Sequence, residues 1–406
     1  MKTLVIRSEN ELSRAAELLR QGQLAAVPTE TVYGLCADGT NAGAVAALYE
    51  IKGRPEVKPL SLMIPSANAM GLYAREVGGA ARLLAESFWP GPLTIVLPAR
   101  TDRIPSIVRA GKDTIGLRCP DHPMTLALLR LAGVPLAGPS ANPSGLPSAV
   151  NAEQVLTYFD GAIAAVVDGG ECGFGEASTI VDLSAVPYRI LRRGALAEDA
   201  IGAVLARSVK CIGLTGTTGS GKTTVLRYLE SRGALGLDCD EIYHELLESS
   251  EPLLTELRSA FPAAFSGDAL DRKALGGIVF ADPEALRRLG SITRDHVIRE
   301  VEKRLEAFAW QGGQVAVIDA IGLVESGLAS RCCRTAAVTA DPALRLRRIM
   351  AREGIDEDYA RKRIAAQQDE SFYREHCDIL LRNDGTREEL LLQCAALFNE
   401  LFEDKN

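Results

Sequence analysis

The chain has 406 residues, 24% of them charged and 47% hydrophobic, which is too long for one typical core and predicts about two domains of near-equal size. A net charge of −8 excludes a non-specific grip on nucleic acid by the whole molecule and leaves room only for a local basic patch. No apolar run approaches the ~18 residues of a membrane span, the start lacks the apolar core of a signal peptide, and the nine scattered cysteines include no C-x-x-C, so the expectation is a soluble cytoplasmic protein with buried reduced thiols and no zinc site or disulfide framework.

Ser8-Glu9-Asn10-Glu11 offers a capped start for a helix reaching Gln21 and closed by Gly22. The apolar Leu24-Ala25-Ala26-Val27 predicts a buried strand that delivers Pro28-Thr29-Glu30-Thr31-Val32-Tyr33-Gly34-Leu35, small polar groups beside an aromatic. A helix over residues 42–51 leads to Lys52-Gly53-Arg54-Pro55-Glu56-Val57-Lys58-Pro59, where three cations are broken by glycine and proline. Such a loop suits an anionic ligand such as a triphosphate, with a solvated basic loop as the alternative. Residues 95–97 and 113–120 read as strands, the second carrying Arg118 into apolar surroundings. An arginine there needs an anion, either a bound carboxylate or a structural partner. Pro139-Ser140-Ala141-Asn142-Pro143 is a polar turn, Ser178-Thr179 opens a strand, and Ile190-Leu191-Arg192-Arg193-Gly194 ends the last one. His122 is the only histidine in this half, so positioning and charge neutralisation are better supplied than histidine acid–base chemistry.

Taken together, Pro28-Thr29-Glu30-Thr31-Val32-Tyr33-Gly34-Leu35, Lys52-x-Arg54-Pro55, Trp89-Pro90-Gly91-Pro92-Leu93-Thr94, Ser140-Ala141-Asn142 and Ser178-Thr179-Ile180-Val181-Asp182 closely resemble the YrdC-like family of threonylcarbamoyl-AMP synthases, over about residues 5–205. The resemblance implies a twisted, mostly open α/β sheet around a positive cavity. It implies the conversion of L-threonine, bicarbonate and ATP to threonylcarbamoyl-AMP and pyrophosphate, the adenylate then serving to make threonylcarbamoyladenosine in tRNA. By position it places Thr31, Arg118 and Ser178 on threonine, with Arg118 clamping the carboxylate, and Lys52, Arg54, Thr114, Ser140, Asn142, Ser148 and Arg192 on ATP. Lys58 replaces a common asparagine and adds charge near the phosphates, and Met63 stands where many members carry histidine.

A helix is expected over residues 195–207, with no Pro/Ser-rich linker before the next strand at Val209. Lys210-Cys211-Ile212-Gly213-Leu214-Thr215 is an apolar strand. Gly216-Thr217-Thr218-Gly219-Ser220-Gly221-Lys222-Thr223 follows and a helical stretch comes next, the full phosphate-loop pattern in its strand–loop–helix setting. Its glycines let backbone N–H groups of Thr218, Gly219, Ser220 and Gly221 turn around phosphate oxygens, Lys222 reaches the β- and γ-phosphates, and Thr223 holds Mg²⁺. A second strand ends in Asp238-Cys239-Asp240, whose carboxylates can hold Mg²⁺, take a proton from an attacking hydroxyl, or cap a helix. Residues 270–275 start a helix, residues 314–319 and 335–339 form parallel-type strands, and 379–381 a last short one. Arg345, Arg347, Arg348 and Arg352 lie on one helical stretch and Arg361 and Arg363 on the next, as a lid over ATP or a solvated basic face.

This half resembles dephospho-CoA kinase in its phosphate loop, Asp238-x-Asp240, Leu270-Asp271-Arg272, Val279-Phe280, Arg348-x-x-x-Arg352, Arg363-Ile364-x-x-Gln367 and Asn383-x-Gly385. The resemblance implies transfer of the ATP γ-phosphoryl to the 3′-hydroxyl of dephospho-CoA. Asp240 would be the base, Asp238 its support, and Arg348, Arg352 and Arg363 the groups that neutralise the transferring phosphoryl. The chain departs from the family at Arg294-Asp295, at Ile321-Gly322-Leu323-Val324-Glu325 and at Arg345, where Gln-x-x-Arg is usual. The first two fall on the acceptor side. The expectation is thus an α/β protein of two domains, 1–206 a YrdC-like twisted sheet and 207–406 a phosphate-loop kinase with a parallel sheet and a helical lid. Both halves would use ATP, with Mg²⁺ at Thr223, and the protein could contact tRNA or tRNA-modifying proteins but no membrane. The rival readings are a double-stranded RNA-binding module for the first half, and a nucleotide-binding scaffold or a kinase of another small molecule for the second.

Overall fold

The computed structural model describes residues 2–365 and 367–403. The chain divides into two compact units, one running to Ser208 together with Trp310–Gly312, the other comprising Val209–Ala309 and the chain from Gly313.

The first unit is built on a ten-stranded mixed sheet. Its strands are β1 (Leu4–Ile6), β2 (Ala25–Val27), β3 (Gly34–Asp38), β4 (Ser61–Met63), β5 (Leu93–Pro98), β6 (Thr114–Arg118), β7 (Leu136–Ala137), β8 (Ala165–Val167), β9 (Thr179–Asp182) and β10 (Arg189–Arg192), in spatial order β1-β8-β2-β3-β7-β4-β6-β5-β9-β10. Most of these strands are short apolar runs buried on both faces, as a covered sheet requires. Leu12, Leu19, Leu128 and Leu129, from the helices Leu12–Arg20 and Pro123–Ala132, pack with Ile6, Val27 and Val167 of the strands into one core, and each such side chain contributes about 1.5–3 kcal/mol. The Ser8–Glu11 capping box opens the first helical stretch as expected, as a 3₁₀ turn leading into the α-helix. Asn41 caps the helix Ala42–Lys52, whose end is set by Gly53 at φ 60°.

The second unit carries a five-stranded, all-parallel sheet of β11 (Lys210–Gly216), β12 (Leu235–Asp238), β15 (Val315–Asp319), β16 (Arg334–Thr339) and β17 (Ile379–Arg382), in order β12-β15-β11-β16-β17. A small hairpin, β13 (Phe265–Ser266) and β14 (Ala269–Leu270), stands apart from it. The phosphate loop leaves the central strand β11. Beneath it, Val225 and Leu229 of the helix Lys222–Ser231 pack on Ile212, Leu214, Val317 and Val338. A helical subdomain with its own core of Leu253, Leu257, Phe261 and Leu275 lies between β12 and β15 in sequence.

Three local expectations are corrected. The helix expected from Ala195 begins at Glu198, because Ala195 N–H bonds Ala177 O and both backbone groups of Leu196 bond the Thr179 hydroxyl, which keeps the chain extended over β9. The helix expected from Leu270 begins at Arg272, because Asp271 caps it through Lys273 and Ala274 N–H while Leu270 pairs with Phe265. The cysteines are all free, but Cys172, Cys332 and Cys377 are only half-buried and Cys333 is exposed, since it lies at the turn into β16 rather than on a core face.

Candidate active sites

In the first unit, adjacent strands β6, β5, β9 and β10 bring Arg118, Thr94, Ser178 and Arg192 onto one wall of a cavity. The 28–33 turn, Arg54 and Ser140 supply other walls. Arg118 ends β6 and is 9% exposed. Its Nη2 donates to Glu30 Oε1 at 2.7 Å and Thr31 Oγ1 at 2.7 Å, and lies 3.4 Å from Thr29 Oγ1. The second Glu30 oxygen accepts from Asp121 N–H at 2.9 Å. The structural partner is Glu30, whose ion pair holds the arginine, while the Arg118 Nε is buried with no partner among the described residues. A buried donor left unmade costs about 1–3 kcal/mol, so an arriving anion that satisfies it gains that much.

Ser178 Oγ shares a 2.9 Å hydrogen bond with Thr94 Oγ1, and Arg192 donates to both Ser178 O (2.7 Å) and Ser178 Oγ (3.0 Å). Although β10 is an exposed edge strand, the Arg192 guanidinium turns in to this cavity, and its pKa is lowered by desolvation and by Arg118 and Arg54. Lys52 is 4% exposed and pairs with no carboxylate among the described residues. Its Nζ donates to Ser140 O and Asn142 O, each at 2.5 Å, and to Asn142 Oδ1 at 3.0 Å. Burial, then Arg54, pushes Lys52 down to about 8. Asn142 is fixed in turn by Ser140 Oγ at 2.6 Å and by donation to Leu146 O at 2.6 Å. Cations gathered without enough carboxylate form a site preset for an anion of several charges.

The other positions expected on ATP do not line this cavity, although Ser148 precedes Ala149, whose N–H bonds Ala141 O between Ser140 and Asn142. Lys58 is exposed and enters the loop through its carbonyl, which accepts from Tyr49 OH and Arg54 Nε. Thr114 starts β6, four residues or about 13 Å along the strand from Arg118. Ser148 is half-buried in the segment before the helix Ala152–Phe159. Sequence reasoning missed Glu30 and Thr94. Glu30 was findable as the only acid in the 28–35 turn, given that Arg118 needed one.

In the second unit, Gly216, Gly219 and Gly221 take φ of 131°, 80° and 105°. A Cβ on Gly221 would sit 2.3 Å from Asn383 Nδ2, the group that donates to Ser220 O at 2.7 Å, so the turn that follows β17 and the phosphate loop share one tight contact. Ser220 Oγ is buried with no partner among the described residues, and Lys222 Nζ folds back on Gly216 O at 3.3 Å. Thr223 is exposed at the start of the helix, where the helix dipole favours an anion.

Asp238 has the capping role, accepting from Asp240 N–H (2.9 Å) and Glu241 N–H (3.2 Å). Asp240 stands one residue into that helix. Surrounding protein first, then Asp238, raises its pKa against Lys222 and His244, an effect softened by water because the residue is exposed. Asp319, unassigned by sequence reasoning, ends β15 directly beside Asp238 in the ladder and is 6% exposed. Burial, opposed by Lys222 and reinforced by Asp238 and Asp240, pushes it up to about 7. No cluster of three or more His, Cys, Asp or Glu among the described residues is a ready metal cage. The acids around Asp319 instead fit a hard dication that arrives with phosphate oxygens and keeps several waters, with the Thr223 hydroxyl at the loop's end.

Because the folded state holds the Asp319 proton more tightly than the unfolded chain, this group's contribution to stability falls as pH rises from its ordinary value of 3.8 towards about 7 and is flat above. Denaturant titrations of Asp319→Asn and the parent should therefore coincide only below about pH 3.8, near pH 3, with the parent less stable near pH 8. Equal stabilities at both pH values would remove the buried carboxylate from this account.

Arg348 donates to Gly219 O (3.4 Å) and Asn383 O (3.2 Å) and so lies on the loop. Arg352 and Arg363 instead both pair with Glu353, the first at 2.6 Å, at the end of the helix Pro342–Glu353 and on the helix Glu357–Ala365. Their guanidiniums lower the Glu353 pKa, the Arg352 hydrogen bond most.

Two family models match the chain: Sua5_yciO_yrdC, described as telomere recombination, over residues 17–194, and CoaE, dephospho-CoA kinase, over residues 210–389. A threonylcarbamoyl-AMP synthase of Bacillus subtilis (strain 168) is 42% identical over 198 residues, 49% of this chain and 57% of its own length. One of Halorhodospira halophila is 40% identical over 168 residues, 41% of this chain and 87% of that protein. A dephospho-CoA kinase of Corynebacterium jeikeium is 38% identical over 183 residues, 45% of this chain and 94% of that protein. The chain spans little more than half the length of the first of these relatives.

Proposed function

Since this chain belongs to the Sua5/YciO/YrdC family of threonylcarbamoyl-AMP synthases over its first half and to the dephospho-CoA kinase family over its second, we propose that it is a bifunctional ATP-using enzyme. The first half makes threonylcarbamoyl-AMP and pyrophosphate from L-threonine, bicarbonate and ATP. The second transfers the γ-phosphoryl of ATP to the 3′-hydroxyl of dephospho-CoA.

What carries the first reading is Arg118, bonded to the Thr31 hydroxyl and with a buried Nε that has no partner among the described residues, in a cavity that Ser178 also lines. Arg118 holds the threonine carboxylate, Thr31 and Ser178 fix the amino acid's polar groups, and Lys52, Arg54 and Arg192 neutralise the triphosphate as pyrophosphate departs. Ser140 and Asn142 act chiefly by holding Lys52. The adenylate leaves to a tRNA or a tRNA-modifying protein. A gel shift with tRNA that falls steeply with salt, together with no pyrophosphate release, would favour the RNA-binding alternative.

In the second half the phosphate loop and Lys222 cradle the β- and γ-phosphates. Asp240 accepts the proton of the attacking hydroxyl, and Arg348 neutralises charge on the transferring group. Arg352 and Arg363 reach ATP only on leaving Glu353, which makes them lid cations. Thr223 and Asp319 would hold Mg²⁺, which would supply positive charge to offset that of the phosphates. A groove lined by Thr223, Thr224, Arg227, Tyr228 and Arg387 opens beside the loop and offers room for the nucleoside end.

The test is one preparation assayed twice, with threonine, bicarbonate and ATP, then with dephospho-CoA and ATP. Lys222→Ala should remove phosphoryl transfer and leave pyrophosphate release largely intact. Loss of both activities with circular dichroism unchanged would show that one ATP site serves both reactions.

A further inference from the structure

Thr218 stands at the tip of the phosphate loop, and all three of its polar groups are claimed from outside the loop. Its N–H donates to Gln367 Oε1 at 3.0 Å, its hydroxyl accepts from Gln367 Nε2 at 2.6 Å, and its carbonyl accepts from Arg345 Nε at 3.2 Å. Arg345 Nη2 closes the ring on the same Gln367 oxygen at 3.1 Å. One residue thus ties down both a donor and an acceptor of Thr218, and a second pins the remaining carbonyl and the first residue's side chain.

The surroundings make this arrangement more than a surface contact. Arg345 is 8% exposed and donates only to uncharged oxygens in these contacts, and desolvation lowers its pKa. The neighbouring Gly219 lies so close to the helix Pro342–Glu353 that a Cβ there would sit 3.0 Å from Ile349 Cγ1 and 3.1 Å from Arg345 O. The Thr218 N–H, turned to Gln367, is unavailable to a phosphate. The N–H groups that remain for phosphate begin at Gly219, and their direction is fixed once the tip is fixed. Gln367 itself follows the arginine-bearing helix Glu357–Ala365.

We infer that Gln367 is a positioning residue for ATP: with Arg345 it holds the phosphate loop in its binding shape before nucleotide arrives and ties the arginine-bearing segment to the loop through Thr218. Ordering the loop in advance removes that conformational cost from the binding step. The inference rests on the phosphate loop binding ATP and does not depend on which acceptor is phosphorylated.

The experiment is calorimetric titration of the full chain with Mg²⁺ and ATP, in which the binding event abolished by Lys222→Ala is that of the phosphate loop. Gln367→Ala should weaken that event by about tenfold, the cost of leaving roughly one loop residue to be ordered on binding, and leave any other ATP event unchanged. Thr218→Ala, which loses only the hydroxyl contact and keeps those of the backbone, should fall between parent and Gln367→Ala, and Gln367→Ala with Thr218→Ala should be no weaker than Gln367→Ala alone, because that contact is already gone. Gln367→Glu keeps the acceptor for Thr218 N–H and Arg345, loses the donor to the hydroxyl, and should fall between parent and Gln367→Ala. Additive losses, or an unchanged phosphate-loop event in Gln367→Ala, would overturn the inference. So would a fall in every ATP event together with a lower unfolding midpoint, since that is the mark of a merely structural residue. If Lys222→Ala abolishes no event, the phosphate-loop reading itself fails, and the inference with it.

Discussion

Arg118→Ala is expected to abolish threonine-dependent pyrophosphate release. The guanidinium ends β6 with its Nη2 committed to Glu30 and Thr31, and its Nε is buried with no partner among the described residues. Losing a charge-assisted contact to a carboxylate, and leaving a buried partner charge behind, costs about 2–5 kcal/mol, or roughly 30- to several-thousand-fold in kcat/KM. The variant also strands Glu30, whose side chain is 11% exposed and would face Asp121 N–H with no cation opposite. Arg118→Ala with Glu30→Gln removes that stranded charge and should recover stability without recovering threonine use. Phosphoryl transfer by the second half provides the control for intact protein. Threonine affinity equal to that of the parent in Arg118→Ala would end the carboxylate-clamp assignment.

Asp240→Asn should lower phosphoryl transfer by about 10²–10⁴-fold while ATP still binds, the range for loss of a general base. Asp240 is the acid near Lys222 that is not spent on capping. Asp238 receives two backbone N–H groups, and Asp319 is buried at the end of β15, whereas Asp240 is exposed. The upward shift of Asp240, caused by surrounding protein and by Asp238, moves its pKa in the direction a base needs. The panel of acceptors should be dephospho-CoA, nucleosides, nucleoside monophosphates and pantothenate. Turnover with dephospho-CoA that collapses in Asp240→Asn supports both base and acceptor. Preference for a nucleoside or nucleotide moves this half to a different phosphate-loop kinase, and full activity in Asp240→Asn passes the base to Asp319 or to water.

Elements that rest on contiguous residues are legible in the sequence itself. The phosphate loop is one eight-residue pattern between an apolar run and a helical one, and its conformation is set by glycines within it. The strands β2, β11, β15 and β16 follow from short apolar runs, because a covered parallel strand must be apolar on both faces. The polar turn at 28–35, the cation loop from Lys52 and the acids at 238 and 240 are likewise marked as chemistry-bearing by residue type and spacing.

Which of these groups meet is not legible there. Arg118 and Glu30 are 88 residues apart, and nothing in either stretch says that the arginine arrives already paired. Thr114 shares a strand with Arg118 yet stands at its far end, since a strand separates residues that sequence keeps close. Asp319 reads as the end of an apolar strand, and only the β12–β15 register sets it beside Asp238. Gln367 finds Thr218 across 149 residues. Local backbone preference and apolar periodicity act over a few residues and are written in the chain. Partner choice for a buried charge or amide depends on strand order and register, which only the packed sheet decides.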